Sequence, residues 1–367
     1  MTIRSIDIFH IEIPLLKSFE TGFGIIDRRP AIIIKMMSSE GLIGFGESSP
    51  LYVPISEPEV IVDSIRTLQK ILPRLIGEKI TSVEDLQLIC DVIPGYPVTK
   101  IGIESAYFDI LAQQASMPLS VIFGGKPRVL PIGESIEIKK APDEVVREVQ
   151  LRIYEGYKRI KIKIKPGHDF LIVQRVRDAF PEIALGVDAN GAYDFRDMEI
   201  LKSLDQFNLL FIEQPFAQSD LRSHSLLQKQ IIAPVCLDES IVDMASCKEA
   251  IETQACRMIN VKLARIGSFS TAKAIHDYCL EHHTPLFGGG RMETGLGKII
   301  NANFYSLPGF TLPADMTPPL EYFPEDIITP PLTLHKGELH LNSVSGLGVE
   351  IDEHTLKKYS KNHISFV

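Results

Sequence analysis

The chain has 367 residues, 45% of them hydrophobic and 23% charged, with a formal net charge of -9 at pH 7. That balance excludes a disordered or low-complexity chain and supplies apolar material for a sizeable core; an acidic total with no basic block argues against nucleic acid or an anionic membrane as the main partner. Five cysteines without a Cys-x-x-Cys pair suggest neither a disulfide framework nor a thiolate zinc site, and with no signal-like N-terminus and no apolar run near the ~20 residues of a membrane span, a cytoplasmic location is expected.

In chain order, Ser5 to Pro14, Ala31 to Met36 and Leu42 to Phe45 read as strands, with Ser38 to Gly41 as a turn. Ile61, Ile65, Leu68 and Leu72 share one helical face, Ser82 with Asp85 resembles a capping box, and Ile101 to Gln114 is helix-periodic. Residues 1–125 therefore form an α+β unit. From about Pro131 short β-branched runs alternate with amphipathic stretches. The runs are Arg159 to Ile164, Ile183 to Asp188, Leu209 to Glu213, Pro234 to Asp238, Met258 to Lys262 and Pro285 to Phe287, with helices such as Asp143 to Tyr157 and Ser268 to His282 between them. This alternation over 126–331 predicts a parallel sheet covered on both faces, closed or open. The tail, 332–367, returns to hairpin-like sequence and is expected to pack back on the first unit.

Lys163, Asp188, Glu213, Asp238 and Lys262 follow one another at intervals of 25, 25, 25 and 24 positions, each at the end of an expected strand. A βα unit has about that length, so the five occupy equivalent places on successive strands. If the sheet closes, they meet at one mouth, the rim on which barrel active sites are built. Three neighbouring carboxylates repel one another unless a cation lies among them, and oxygen ligands without Cys or His favour Mg2+ over Zn2+. The competing reading is three strand-end acids that cap the following helices. Lys161, Lys163 and Lys165 alternate with Ile160, Ile162 and Ile164, which places the lysines on one face. An inward, desolvated lysine beside another cation is expected to have a lowered pKa and to act as a base, whereas on an edge strand the same lysines would be solvated. In a closed barrel Lys262 faces Lys163, so the two amines flank one substrate carbon, and the metal holds the carboxylate and stabilises the enediolate.

The motifs Lys161-Ile-Lys163 with Pro166-Gly167, Val187-Asp188-Ala-Asn190, Ile212-Glu213-Gln214-Pro215, Leu237-Asp238-Glu239-Ser240, Asn260-Val-Lys262, Glu293-Thr-Gly-Leu-Gly297 and Phe310-Thr-Leu-Pro313 span nearly the whole chain. At these residues the sequence resembles the muconate-lactonizing branch of the enolase superfamily, and within it the o-succinylbenzoate synthase / N-succinylamino acid racemase family. The resemblance implies a (β/α)-barrel of modified TIM type, in the α/β class, under an α+β capping domain formed by the N-terminal part and the C-terminal tail. By the same resemblance Asp188, Glu213 and Asp238 bind one Mg2+, for which Mn2+ can substitute, and Lys163 and Lys262 are the acid/base pair. Lys161 tunes Lys163, and Asn190 and Glu239 support the site. Glu20, Phe23, Tyr52, Arg291 and Glu293 are the candidate substrate contacts, with the loops near Phe19 to Gly24 and Pro50 to Glu57 covering the substrate.

The implied reaction is removal of a proton α to a carboxylate, leading to dehydration in an o-succinylbenzoate synthase of menaquinone biosynthesis or to racemisation of N-succinylamino acids. A dipeptide epimerase or a muconate-type cycloisomerase is the alternative, and a non-catalytic Mg2+-dependent acid-binding barrel is the rival from another class. An epimerase is expected to carry Asp-x-Asp after the last barrel strand, where only Asp315 stands. Two positions depart from the family pattern: Arg291 replaces the Met of a Gly-Gly-Met segment, and Glu20 stands where a basic residue is usual. Arg291 is expected either to bind an extra substrate carboxylate or to be a solvated surface charge. The partner is a small-molecule carboxylate, and self-association into a homo-oligomer is expected.

Overall fold

The computed structural model describes residues 1–21, 24–55 and 57–367, with backbone only for residues 19–21 and 24. Three antiparallel strands open the chain: β1 (Ile3–Thr21), β2 (Gly24–Ser38) and β3 (Ile43–Ser48). The β2–β3 connection is the turn read at Ser38 to Gly41, where Gly41 takes φ +84. Isoleucines Ile6, Ile8, Ile32 and Ile34 are buried from this sheet against Leu68, Ile71, Ile103 and Ile110 of the helices Ile61–Ile71 and Pro97–Gln114. Gly44 and Gly46 permit that contact, since a Cβ on either would come within 2.1 Å of the carbonyl oxygen of Ala106 or Gly102. Ser82 and Asp85 form the expected reciprocal cap of helix Val83–Cys90.

Eight parallel strands follow: β4 (Val129–Ile136), β5 (Arg159–Lys163), β6 (Leu185–Asp188), β7 (Phe211–Glu213), β8 (Val235–Leu237), β9 (Met258–Val261), β10 (Leu286–Gly288) and β11 (Ala314–Asp315). Their order is sequential, with β11 returning to pair with β4. The remaining seam, between β10 and β11, is bridged where Thr311 and Leu312 donate to the Leu286 carbonyl at 3.2 and 3.4 Å. The sheet is therefore a nearly closed barrel. Its outward residues, such as Ile160, Ile162 and Ile164, are buried under the helices, leaving the inner face to the alternate residues.

The tail divides between the two parts. Ser360–Phe366 pairs with β1 of the N-terminal sheet, and Glu338–His340 pairs antiparallel with Val129 to Pro131 of β4, at the entrance of the barrel strand. Unpaired backbone at the start of β4 is what this hairpin satisfies. Among the described residues no helix is long and apolar enough to cross a membrane.

Glu104, buried on helix Pro97–Gln114, joins the two parts: it accepts from the Phe269 backbone N–H at 2.8 Å, at the start of barrel helix Phe269–Glu281, and from Gln87 Nε2 at 2.8 Å. Burial pushes its carboxyl up to about 7 from the ordinary 4.5. A carboxyl raised in the fold stabilises it most when protonated, so this contribution is present below the unfolded pKa and is lost as pH rises through about 7. Relative to Glu104→Gln, which cannot ionise and keeps one acceptor oxygen for these donors, the wild-type protein should lose on the order of 2 kcal/mol between pH 5 and pH 8. Urea unfolding of both at the two pH values checks this; parallel pH dependences would contradict it.

Candidate active site

Period-two alternation brings the charged residues to the inside of the barrel. On β5 Arg159, Lys161 and Lys163 alternate with isoleucines; Lys163 stands in register with Asp188, and Asp188 with Glu213. Asp238 and Lys262 follow directly after β8 and β9, and Asp315 ends β11. In the ring of eight, β5 and β9 are four strands apart, so Lys163 and Lys262 rise from opposite sides of the mouth. Below them an apolar layer of Phe211, Cys236, Met258 and Phe287 fills the barrel, with the Arg159 guanidinium 5.7 and 5.1 Å from the Phe211 and Phe287 ring centres.

Each acid is engaged by a cation. Lys163 Nζ lies 2.8 Å from Asp188 Oδ2, and Lys262 Nζ lies 2.6 Å from Asp238 Oδ2. Lys161 Nζ donates to Glu213 Oε2 and to Asp315 Oδ2, both at 2.8 Å, and lies 3.6 Å from Asp188. Arg265 Nη1 donates to Asp238 Oδ1. Asn190, at φ +44, donates its backbone N–H to Asp188 Oδ1 at 2.9 Å, accepts from Lys163 at 2.5 Å and donates to Glu239 Oε1 at 3.0 Å. Gln214 Oε1 accepts from the backbone N–H of Asp238 and Ser240 at 3.0 and 3.2 Å, which ties the end of β7 to that of β8. The lysine side chains at the mouth keep 20% and 17% of their surface, whereas the Asp188, Glu213 and Asp238 side chains keep 1% or less; the amines can reach a ligand in the mouth.

Glu213 is pushed up to about 8, first by burial and then by the charge of Asp188, against the opposing pull of Lys161. Asp188 and Asp238 are held low in spite of burial, by Lys163 and by Arg265 with Lys262 respectively. One expectation is reversed. Burial is the largest single effect on Lys163 and lowers it, yet the charge and hydrogen bond of Asp188 together with the charge of Glu137 outweigh burial and the neighbouring Lys161, so its pKa is raised, not lowered; Lys161, also lowered by burial, is raised on balance by Asp315, Glu213 and Asp188. Reasoning from the lysine pair alone omitted the acids to which the amines are bound.

The barrel part, residues 144–355, matches the family model described as enolase C-terminal domain-like, and residues 4–124 match the N-terminal domain of mandelate racemase / muconate lactonizing enzyme. The chain belongs to the enolase superfamily. An o-succinylbenzoate synthase of Geobacillus stearothermophilus is 35% identical over 96% of this chain and 94% of its own length, and an N-succinylamino acid racemase of Thermus thermophilus is 35% identical over 96% and 95%. A solved structure of an enolase-superfamily protein from Listeria innocua superposes with a TM-score of 0.95 at 33% identity, covering 100% of this chain and 99% of the other.

Enolase-superfamily sites combine a Lys or His base with Mg2+, and the residues here fit such an ion in chemistry. The donors are carboxylate oxygens, Glu213 carries more negative surroundings than its one lysine offsets, and Glu239 Oε2 is enclosed without a hydrogen-bond partner. Among the described residues, however, no group of three acids, histidines or cysteines is arranged to hold a metal. Asp188, Glu213 and Asp238 are each drawn onto an amine or guanidinium.

The candidate substrate contacts fare differently. Phe23 and the side chain of Glu20 lie outside the described residues. Tyr52 is 42% exposed and its hydroxyl donates to Glu12 on β1. Glu293 is buried and turned to its own helix and loop, accepting from the Arg291 N–H at 2.9 Å and Asn301 Nδ2 at 3.2 Å, with Lys298 at 3.3 Å. Arg291 keeps 12% of its side-chain surface exposed, and its guanidinium pairs with Glu57. Two further side chains belong to the site: Asn260, which stood in the Asn260-Val-Lys262 motif without an assigned role and donates to Glu213 Oε1 at 2.8 Å, and Arg265, which no motif marked. The two-residue step from Asn260 to Lys262 on one strand could have revealed the first, and the three-residue step from Lys262 into the helical turn Leu263–Ile266 the second.

Proposed function

We propose that this enolase-superfamily chain removes the proton α to a carboxylate and either returns one to the opposite face, as in N-succinylamino acid racemisation, or lets hydroxide depart, as in o-succinylbenzoate synthesis. The observation that carries this is the pair of amines on opposite sides of one barrel mouth. One lysine takes the α-proton onto Nζ in its free-amine form, which the neighbouring carboxylate disfavours until that carboxylate engages a cation other than the amine, and the C–H electron pair passes into the substrate carboxylate. The other, as ammonium, delivers a proton to the far face in racemisation. In dehydration that same electron pair returns to form the C=C bond as the β-hydroxyl leaves as water, taking its proton from a lysine ammonium. Asp188, Glu213 and Asp238 would hold Mg2+, with Mn2+ able to replace it. When bound, that ion supplies positive charge against the charge developing on the carboxylate. Lys161 keeps Glu213 and Asp188 in place from below, and Asn190 sets both Lys163 and Glu239.

Two observations weigh against the dipeptide epimerase. Asp315 is already bound by Lys161 and Arg159, and Thr317, two residues on, donates its hydroxyl to Glu134, so neither offers a free carboxylate to an ammonium group. A non-catalytic binding barrel has no use for an amine on each face. With Mg2+ present, a panel of N-succinylamino acids, dipeptides and the succinylbenzoate precursor should show turnover of the succinylated compounds and the precursor. Turnover confined to dipeptides, or none at all, would overturn this reading.

A further inference from the structure

The N-terminal part meets the barrel rim through three arginines and one carboxylate. Arg29, on β2 and 2% exposed, donates Nε to the Met292 carbonyl at 2.9 Å, Nη1 to the Pro50 carbonyl at 2.8 Å and Nη2 to the Ser49 carbonyl at 2.6 Å. Arg291, one residue before Met292, pairs its Nη1 with Glu57 Oε2 and turns Nη2 towards the Ser49 carbonyl at 3.4 Å. Glu57 Oε1 lies 3.2 Å from Arg265 Nη2, and the other nitrogen of that guanidinium bonds Asp238. All these side chains are enclosed: 12% of the Arg291 side chain, 7% of Glu57 and 5% of Arg265 are exposed.

Glu57 thus lies between two cations of the barrel rim, with a third close by. Arg29 is pushed down to about 10, first by burial and then by the charge of Arg291. The far end of the same chain of contacts is the mouth itself, since Asp238 carries Lys262 at 2.6 Å. Gly289, two residues before Arg291, packs so closely that a Cβ there would lie 2.5 Å from Lys262 Cγ. Any displacement of the segment Gly289–Arg291 is therefore felt at Lys262.

We propose that Glu57 is a positioning residue that clamps the N-terminal part onto the barrel rim, and that Arg291 serves this clamp instead of reading a substrate carboxylate. The clamp holds Arg265 from one side while Asp238 holds it from the other, which fixes the place from which Lys262 works. The kinetic consequence rests on the reaction proposed above; the clamp itself does not.

Two readouts keep them apart. In Glu57→Gln and in Arg291→Met, backbone amides in peptides containing Glu57 should exchange with deuterium severalfold faster than in the wild-type protein, with the rest of the barrel unchanged. Arg291→Lys, which keeps the charge, should recover part of the protection. The double variant should be no worse than Glu57→Gln alone, since Arg291 acts through its contact with Glu57. Exchange needs no substrate, so this result holds or fails whatever the reaction. For turnover, both single variants should lower kcat/KM about tenfold for every accepted substrate, whatever its side-chain charge, with kcat and KM changing together. Unchanged exchange in Arg291→Met would overturn the proposal, and so would a kcat/KM effect confined to substrates bearing an additional carboxylate.

Discussion

Replacing Lys163 by alanine is expected to lower turnover by roughly 10²- to 10⁴-fold, the usual contribution of a positioned general acid or base, and Lys262→Ala should do the same. The far-ultraviolet spectrum and Mg2+ binding should survive in both, because each lysine lies at the open end of the barrel with part of its surface exposed. In Lys163→Ala, Asp188 keeps the Asn190 N–H and the neighbouring Lys161; in Lys262→Ala, Asp238 keeps Arg265. Neither acid is stranded in the interior. Steady-state kinetics with the preferred succinylated substrate decide the matter. Near wild-type turnover in either variant would remove that lysine from the mechanism.

Glu213→Gln should remove activity just as thoroughly, by a different route. Its carboxylate lies between Asp188 and Asp238 and is fully buried, so the neutral amide keeps Asn260 within reach but withdraws the charge that a divalent ion needs. In the wild-type protein Mg2+ at about 100 times its Kd should stabilise the fold by about 2.7 kcal/mol, and a chelator should abolish both that stabilisation and turnover. In Glu213→Gln the stabilisation should vanish even at high Mg2+. Thermal unfolding with and without the ion measures it, independently of any substrate; an equal Mg2+ response in the variant would exclude Glu213 as a ligand.

Much of this site was legible in the chain. A repeat near 25 residues is the length of one βα unit, so equivalent positions on successive strands appear as a numerical interval before any fold is known. Alternation of lysine with isoleucine from Ile160 to Lys165 likewise reports which face of β5 looks inward. What escaped depends on contacts between distant segments. Glu57 meets Arg291 across more than two hundred positions, and no local pattern marks either residue as half of a pair. The raised lysine pKa escaped because its cause is the distance from Lys163 to Asp188 and from Lys161 to Asp315, which spacing alone does not supply. The hairpin pattern of the tail names no partner, and only the unpaired start of β4 determines where Glu338–His340 goes. Arg291 and Glu293 were placed near the substrate by family resemblance, and a resemblance does not say that Arg291 pairs with Glu57 or that Glu293 bonds the Arg291 N–H.

The most direct measurement follows the α-proton of each enantiomer of an N-succinylamino acid in deuterated water, with the two single-lysine variants. In Lys163→Ala the enantiomer whose proton faces residue 163 should cease to exchange while its mirror image still exchanges through Lys262, and Lys262→Ala should show the reverse. Exchange of both enantiomers by either variant would contradict two amines working on opposite faces of one carbon.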